Sequence, residues 1–99
     1  MSKAVIKDGR YTIEPLYQWD LNQVLQIYGL SFSRVPEVHF SSVALESALV
    51  RQCTMDSNGV LTVEIPNSLL QRPYPIKAHV CIYEGKTFET LYTIDIPIK

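Results

Sequence analysis

Histidine, cysteine and carboxylate side chains are the residues of this chain with metal-binding chemistry. His39 and His79 lie in the alternating sequence typical of strands, and Cys53 and Cys81 lie far apart in similar sequence. A zinc site needs such ligands to converge in a tetrahedron, and its ligand pairs usually stand close together in the sequence. No close pair is present, so the sequence predicts no metal and no cofactor.

The two cysteines are also the candidates for redox chemistry in this chain. In a reducing compartment they are most simply small strand or core residues, because free cysteine behaves as a small apolar side chain. A disulfide would require Cα atoms about 6 Å apart. Sequence spacing does not give that distance, so the disulfide state of Cys53 and Cys81 stays open.

Catalytic combinations can be assembled from these residues only on paper. A Ser-His-Asp triad is defined by geometry, and no motif here marks a nucleophilic serine. The four glycines are not clustered, so no phosphate-binding loop is predicted. A glycosidase needs two carboxylates that flank the bond. The acidic residues considered for this role are scattered along the chain: Asp20, Glu37, Asp56, Glu64 and Asp95. The sequence therefore predicts a protein that is not an enzyme.

Tyrosine and tryptophan offer a different chemistry, because they combine a large apolar area with a polar tip and are favoured at interfaces. Most aromatic residues are expected to fill the core. Tyr17 and Tyr74 lie near prolines in predicted loops, and Tyr83 shares a strand face with Lys77 and His79. The predicted interface residues are Tyr17, Trp19, Tyr74 and Tyr83.

Strands are the elements that must position these side chains. Leu61, Val63 and Ile65 alternate with polar residues, and the same period of two recurs in residues 76–83 and 88–96. Less regular strands are predicted near residues 4–6, 11–13, 16–19, 24–28, 38–42 and 49–55. Such short, regularly punctuated strands are typical of a β-sandwich. We expect an all-β, immunoglobulin-like antiparallel sandwich of about seven to eight strands.

Turn residues separate these strands. Asn58-Gly59 predicts a tight hairpin in which both residues have positive φ, and Glu84-Gly85 predicts a second hairpin. Pro66 begins a short helical turn near residues 66–71, which is predicted to cross between the sheets. Residues 42–49 fit a helix or a loop, and we interpret them as a loop that leads into a strand. No linker divides the chain, so residues 1–99 are expected to form one domain.

The composition limits which classes of partner the sequence predicts. The net charge is −1, which gives no general attraction for nucleic acid or anionic lipid, and neither is predicted as a partner. Only three consecutive apolar residues stand between the first lysines, too few for a secretory signal. Synthesis in a cytoplasm is therefore expected, with export only as part of a larger particle.

Four segments together form a recognisable pattern. Residues 16–27 contain Gln18-Trp19-Asp20, residues 37–41 read Glu-Val-His-Phe-Ser, residues 65–71 read Ile-Pro-Asn-Ser-Leu-Leu-Gln, and residues 76–80 read Ile-Lys-Ala-His-Val. The pattern, from about residue 16 to 98, resembles a β-sandwich domain of structural proteins from phages and prophages of gut and other Gram-positive bacteria. By looser analogy it is similar to the N-terminal domains of baseplate upper proteins, to head fibres and to capsid decoration proteins.

The resemblance implies assembly and display rather than catalysis. It predicts a virion protein, made in the host cytoplasm, that binds capsid, portal or tail proteins, and it leaves a homo-oligomer open. Family members commonly continue past the last strand, whereas this sequence ends at Lys99. The chain is therefore expected to be a stand-alone small protein bound to a larger shell or tail. Two alternatives remain: a carbohydrate- or receptor-binding module that uses exposed aromatic residues, and a small phage inhibitor of a host protein.

Overall fold

The residues that the structure describes form nine strands in two sheets. The computed structural model describes residues 2–32, 34–43 and 48–99, without the side chains of Glu84 and Phe88. Part of the predicted loop at residues 42–49 thus lies outside the described residues. The strands are β1 (Ser2–Lys7), β2 (Arg10–Ile13), β3 (Val24–Tyr28), β4 (Glu37–Ser41), β5 (Leu49–Gln52), β6 (Thr54–Met55), β7 (Leu61–Glu64), β8 (Ile76–Glu84) and β9 (Thr87–Ile96).

The strand order is that of an immunoglobulin-like sandwich. One sheet has the order β2-β1-β3-β7-β6, and the other has the order β5-β4-β8-β9. Without β2, the order β1-β3-β7-β6 is that of the ABED sheet of an immunoglobulin domain, and β4-β8-β9 has the order of its CFG sheet, with β5 added at the edge. The 3-10 helix Asn67–Gln71 connects β7 of the first sheet to β8 of the second. The predicted all-β sandwich with one helical turn is confirmed, although it has nine strands rather than seven or eight.

The prediction that all strands are antiparallel is wrong for one pair, because β1 and β3 run parallel. The β1–β2 hairpin brings Ile13 back beside Ala4, near the beginning of β1. Strand β3 starts at the same end, where Leu25 pairs with Ser2. The intervening residues 14–23 therefore need only pass one end of β1 to place a parallel strand on its other side.

The predicted strand at residues 16–19 is also wrong. Only Leu16 makes a strand-like contact there, an isolated parallel bridge to Ile98. Trp19 has a φ of 74°, which is incompatible with an extended strand. The backbone N–H of Trp19 instead donates to the carbonyl of Leu70, 2.7 Å away. This segment is a loop fixed by hydrogen bonds to distant parts of the chain.

The core lies between the sheets and is built from alternating apolar residues. Phe40, Leu25 and Ile94 are fully buried at its centre, and Leu70 of the 3-10 helix is buried with them. Full burial of side chains of this size stabilises a fold by about 1.5–3 kcal/mol each. The helix therefore covers one end of the core and also connects the two sheets.

The two long sides of the sandwich are closed in different ways. On one side, the predicted strand at residues 49–55 is divided at the buried Cys53, so that β5 belongs to one sheet and β6 to the other. On the other side, the rings of Tyr11 and Tyr92 meet edge to face with their centroids 6.0 Å apart. The Tyr11 hydroxyl accepts a hydrogen bond from the backbone N–H of Asp95 at 2.9 Å.

The hairpins lie near their predicted positions but differ in detail. Gly59 has a φ of 79°, whereas Asn58 is not among the described non-glycine residues with positive φ. The Gly59 N–H donates to the Asp56 carbonyl at 3.0 Å, and the Asp56 carboxylate accepts from the N–H groups of Asn58 and Val60 at 2.8 and 3.0 Å. The second turn consists of Gly85 and Lys86, one residue later than predicted.

Candidate functional site

Three large, exposed apolar side chains stand close together in the sequence and lie on one loop. Tyr17, Trp19 and Leu21 are 55%, 68% and 65% exposed, respectively. We call residues 16–23 the Trp19 loop. Single exposed apolar residues are ordinary on protein surfaces, but a group of large ones is a feature of contact surfaces. The Trp19 loop is therefore the first candidate for a binding site.

The start of the Trp19 loop is fixed to the C-terminal residues. Leu16 is buried, and its N–H donates to the carbonyl of Pro97 at 3.0 Å. Its own carbonyl accepts from the N–H of Lys99 at 2.8 Å, and the N–H of Gln18 donates to the Lys99 carbonyl at 2.7 Å. We call these three hydrogen bonds the C-terminal clamp. They hold the backbone on both sides of Tyr17.

The rest of the loop is fixed to the 3-10 helix. The side-chain amide of Gln18 donates to the carbonyl of Gln71 at 3.0 Å, next to the bond between Trp19 and Leu70. Further along, the N–H of Asn22 donates to the side-chain oxygen of Asn67 at 2.8 Å. These contacts position the exposed side chains before any partner arrives.

The backbone of Trp19 is strained. A positive φ places the Cβ atom of an L-residue against its own carbonyl, at a cost of about 1–2 kcal/mol. Glycine and asparagine adopt this conformation readily, whereas tryptophan rarely does. Strain of this kind persists only where the surrounding structure enforces it, and it is concentrated at functional sites. The strain at Trp19 therefore favours a functional role for its exposed ring.

The other two predicted interface residues lie elsewhere. Tyr74 is 42% exposed and follows the 3-10 helix, two residues before β8 begins. Tyr83 is 52% exposed near the opposite end of β8. Seven residues of strand separate Tyr83 from Ile76, a distance of about 23 Å. Tyr17 and Trp19 thus share one loop, while Tyr83 lies at the other end of the sandwich.

The sequence interpretation missed Leu21 as a member of this surface. Tyr17, Trp19 and Leu21 stand two residues apart, and this spacing was the available signal. The same spacing is also that of a strand with one buried face, so it does not by itself predict exposure of Leu21. The hydrogen bonds of the loop turn these side chains towards solvent instead, and those bonds involve residues about fifty positions away.

A second candidate is the outer surface of the four-stranded sheet. We call it the histidine face. His39 of β4 and His79 of β8 are directly paired across the two strands. Directly opposite residues have Cβ atoms about 4.5–5.5 Å apart. The face consists of Glu37, His39, Ser41, Lys77, His79, Thr93 and Asp95.

Hydrogen bonds link most of the histidine face. One ring nitrogen of His79 lies 3.1 Å from the Ser41 hydroxyl, and the other lies 3.0 Å from the Thr93 hydroxyl. A catalytic triad has a carboxylate where Thr93 stands, so this row of side chains has a different arrangement. In the described part of the chain, no group of three or more His, Cys, Asp or Glu side chains is arranged to hold a metal ion.

The charged residues of the histidine face are paired as well. Glu37 accepts a hydrogen bond from the side chain of Gln52 at 2.9 Å and lies 3.4 Å from the ring of His39. Lys77 and Asp95 form an exposed ion pair at 3.0 Å. The face is therefore polar and largely satisfied by its own side chains.

The two cysteines are free thiols in buried positions. Burial raises the pKa of Cys53 to about 11, and the nearby charge of Glu37 adds to this. Burial also raises the pKa of Cys81, against a hydrogen bond with Thr90 that lowers it. The alternation of residues 76–83 places Cys81 on the same strand face as His79, and in the structure it pairs with Glu37 there. It is nevertheless buried, and its thiol lies 3.7 Å from the Thr90 hydroxyl of β9. Both thiols stay protonated at neutral pH, and a thiol is a weaker nucleophile than a thiolate.

Comparisons with known proteins add no family to this description. No protein-family model matches the chain, and no curated protein sequence matches it significantly. The resemblance to phage structural domains therefore stays a prediction. Among the described residues, no helix is both long and apolar enough to cross a membrane.

Proposed function

We propose that this chain is a non-enzymatic binding module that docks on a larger protein assembly through the Trp19 loop. One observation carries this proposal: Trp19 is 68% exposed although its backbone has a strained φ of 74°. Solvent exposure of a large indole ring gains nothing for the isolated domain, and the strain lowers its stability. A partner that covers the ring would offset both effects.

The chemistry of the loop suits a protein partner. Tryptophan and tyrosine are enriched among the residues that dominate binding energy, and these residues cluster in rigid, well-packed centres. A loop already fixed in its bound shape loses less conformational entropy when it binds. The C-terminal clamp and the bonds to the 3-10 helix supply this preorganisation.

The sequence resemblance supplies the kind of assembly. If the chain is a phage structural domain, its partners are capsid, portal or tail proteins, and its location is the virion after synthesis in the host cytoplasm. The chemistry of the loop is equally suited to a host protein as partner, which is the role of a phage inhibitor. The two roles differ in whether the chain remains with the particles.

Quantitative mass spectrometry of gradient-purified particles from producing cells tests the proposed location. We expect the chain in a fixed ratio to the major shell protein. Its absence from intact particles, together with recovery in a stable complex with a host protein, would overturn the virion assignment in favour of the inhibitor.

Rebinding of purified protein to particles that lack it tests the surface. The double variant Trp19→Ala/Leu21→Ser should bind at least tenfold more weakly, because truncation of central aromatic contacts commonly costs about 2 kcal/mol or more. The matched control is Val5→Ser/Val50→Ser, which removes apolar side chains that are 43% and 44% exposed on the two sheets. Equal loss in both double variants would contradict docking through the Trp19 loop.

A further inference from the structure

A polar cleft lies beside the Trp19 loop. Its volume is about 250 Å³. It is formed by the end of β7, the start of the 3-10 helix, strand β5 and the residues just before β3. Five polar side chains line it: Asn22, Gln23, Arg51, Glu64 and Asn67.

The strand pairing explains why the cleft exists. β6 pairs with β7 only at Leu61 and Thr62, so no strand covers the side of β7 at Glu64. Arg51 of the edge strand β5 belongs to the other sheet and lies across this gap. The bond from the N–H of Asn22 to the Asn67 side chain joins two further walls. The cleft is therefore formed by fixed backbone segments.

The polar groups of the cleft supply donors and acceptors together. Three side chains are amides, which carry an acceptor oxygen and a donor nitrogen. The Asn67 oxygen accepts from the N–H of Asn22 at 2.8 Å, and the Gln23 nitrogen donates to the Leu21 carbonyl at 3.1 Å. Arg51 adds donors and Glu64 adds acceptors. In the part of the chain that is described, neither Arg51 nor Glu64 forms an ion pair, and the guanidinium of Arg51 donates only to the carbonyl of Val50, at 2.9 Å.

The apolar part of the cleft is small. Val24, Ile65 and Pro66 contribute it, and the last two are buried in the domain. Ligand sites generally combine such an apolar wall with a few fixed polar groups that orient the ligand. A ligand that fits here has one apolar face and a rim of hydrogen-bonding groups.

We infer that this cleft binds one sugar ring of a glycan. Neighbouring hydroxyls of a sugar both donate and accept hydrogen bonds, so they match planar amide, guanidinium and carboxylate groups, which can each engage two atoms at once. The carbon-bound hydrogens of a pyranose match the small apolar patch that Val24 and the edge of Pro66 contribute. One positive and one negative side chain leave the lining without net charge, so a neutral ligand fits better than a phosphate or an ammonium group.

The cleft shares Asn22 and Gln23 with the Trp19 loop, but the exposed side chains proposed for protein docking, Tyr17, Trp19 and Leu21, do not line it. Saturation-transfer NMR of the full chain tests it with glucose, galactose, rhamnose, N-acetylglucosamine and N-acetylgalactosamine, each at millimolar concentration. We expect transfer to at least one of these sugars. Titration of that sugar should give an affinity at least tenfold lower for Arg51→Gln and for Glu64→Gln, since each variant removes a charge-assisted hydrogen bond.

The controls carry the same changes on other surfaces. Arg10→Gln and Glu89→Gln replace exposed side chains of β2 and β9 and should leave sugar binding unchanged. The Trp19→Ala/Leu21→Ser variant should also bind the sugar normally, which separates this site from the docking surface. No transfer to any of the five sugars, or equal binding by the cleft variants and the wild-type chain, would overturn the inference.

Discussion

The Trp19 loop and the histidine face are both at the surface, but their side chains differ in how far they contact the rest of the domain. On the histidine face, His79 contacts hydroxyls on both sides and Lys77 pairs with Asp95. On the Trp19 loop, the backbone is satisfied by hydrogen bonds while Trp19 and Leu21 are left exposed. One region uses its side chains for the fold, whereas the other uses its backbone to present them.

This difference shows that polar and aromatic residues at a surface can have two roles: some form contacts within the fold, and others are left exposed. A pair of histidines attracts attention in a sequence because imidazole is common in metal and catalytic sites. In this fold the pair belongs to a hydrogen-bonded row that links β4, β8 and β9. The Trp19 loop instead holds large apolar side chains exposed to solvent on a backbone that is strained at Trp19.

The largest expected effect comes from removing the support of the loop. Leu70→Ala truncates a fully buried side chain. The backbone carbonyl of the same residue accepts the hydrogen bond from the N–H of Trp19. We expect the free energy of unfolding in urea to fall by about 2–5 kcal/mol, as for other buried leucines. The chain has one tryptophan, so its fluorescence anisotropy reports directly on the loop and should fall in the folded variant. Leu91→Ala, at a 38% exposed position, is the control and should have a much smaller effect.

A smaller loss is expected on the histidine face. His79→Ala removes contacts with Ser41 and Thr93 and should lower the free energy of unfolding by about 1–2 kcal/mol, because each intramolecular hydrogen bond contributes about 0.5–1.5 kcal/mol. Anisotropy of Trp19 should not change. A double-mutant cycle with Thr93→Ala measures the coupling, and additive effects would show that the row does not act as a unit.

The strain at Trp19 can be measured by comparing two replacements. Trp19→Asn should be more stable than Trp19→Ala by about 0.5–1 kcal/mol, since asparagine tolerates a positive φ better than alanine does. Thermal melts of the two variants provide the test. The same pair at Tyr17, which lacks a positive φ, is the control and should show no such preference for asparagine. Equal stability of the two Trp19 variants would remove the argument from strain.

The smallest effect is expected at the exposed ion pair of the histidine face. Both side chains of Lys77 and Asp95 are more than half exposed, at 58% and 57%. A double-mutant cycle with Lys77→Gln and Asp95→Asn should give a coupling of no more than about 0.5 kcal/mol, decreasing with added salt. A larger, salt-resistant coupling would mean that this pair contributes to the fold as strongly as the His79 row.

The sequence predicted the sandwich because alternation and turn residues are local signals. It did not predict turn type, as two similar dipeptides show. Asp8 and Gly9 both have positive φ and close a two-residue hairpin, whereas only Gly59 does so in the Asn58-Gly59 turn. The carboxylate of Asp56 accepts two N–H groups there and stabilises the longer turn. Turn type thus depended on a side chain outside the dipeptide.

Other features depended on contacts between distant residues. The parallel pairing of β1 with β3 and the division of the chain at Cys53 follow from how the sheets close, which no local pattern encodes. For the candidate site, residue type and a nearby proline made Tyr17 a candidate and residue type made Trp19 one, while Leu21 and the cleft required the folded structure. Asn22 and Asn67 meet across 45 residues, and the separation of Tyr83 from the loop follows from the length of β8.

The C-terminal clamp also has a mechanical consequence. Its three hydrogen bonds join Leu16 and Gln18 to Pro97 and Lys99, and the bridge between Leu16 and Ile98 is parallel. Tension on residues 97–99 along their own direction loads these bonds in shear, so that they share the force rather than open one after another. Once they break, the backbone that presents Tyr17 loses its attachment on that side. If the Trp19 loop docks as proposed, pulling at this end of the chain would therefore also weaken its hold on the partner.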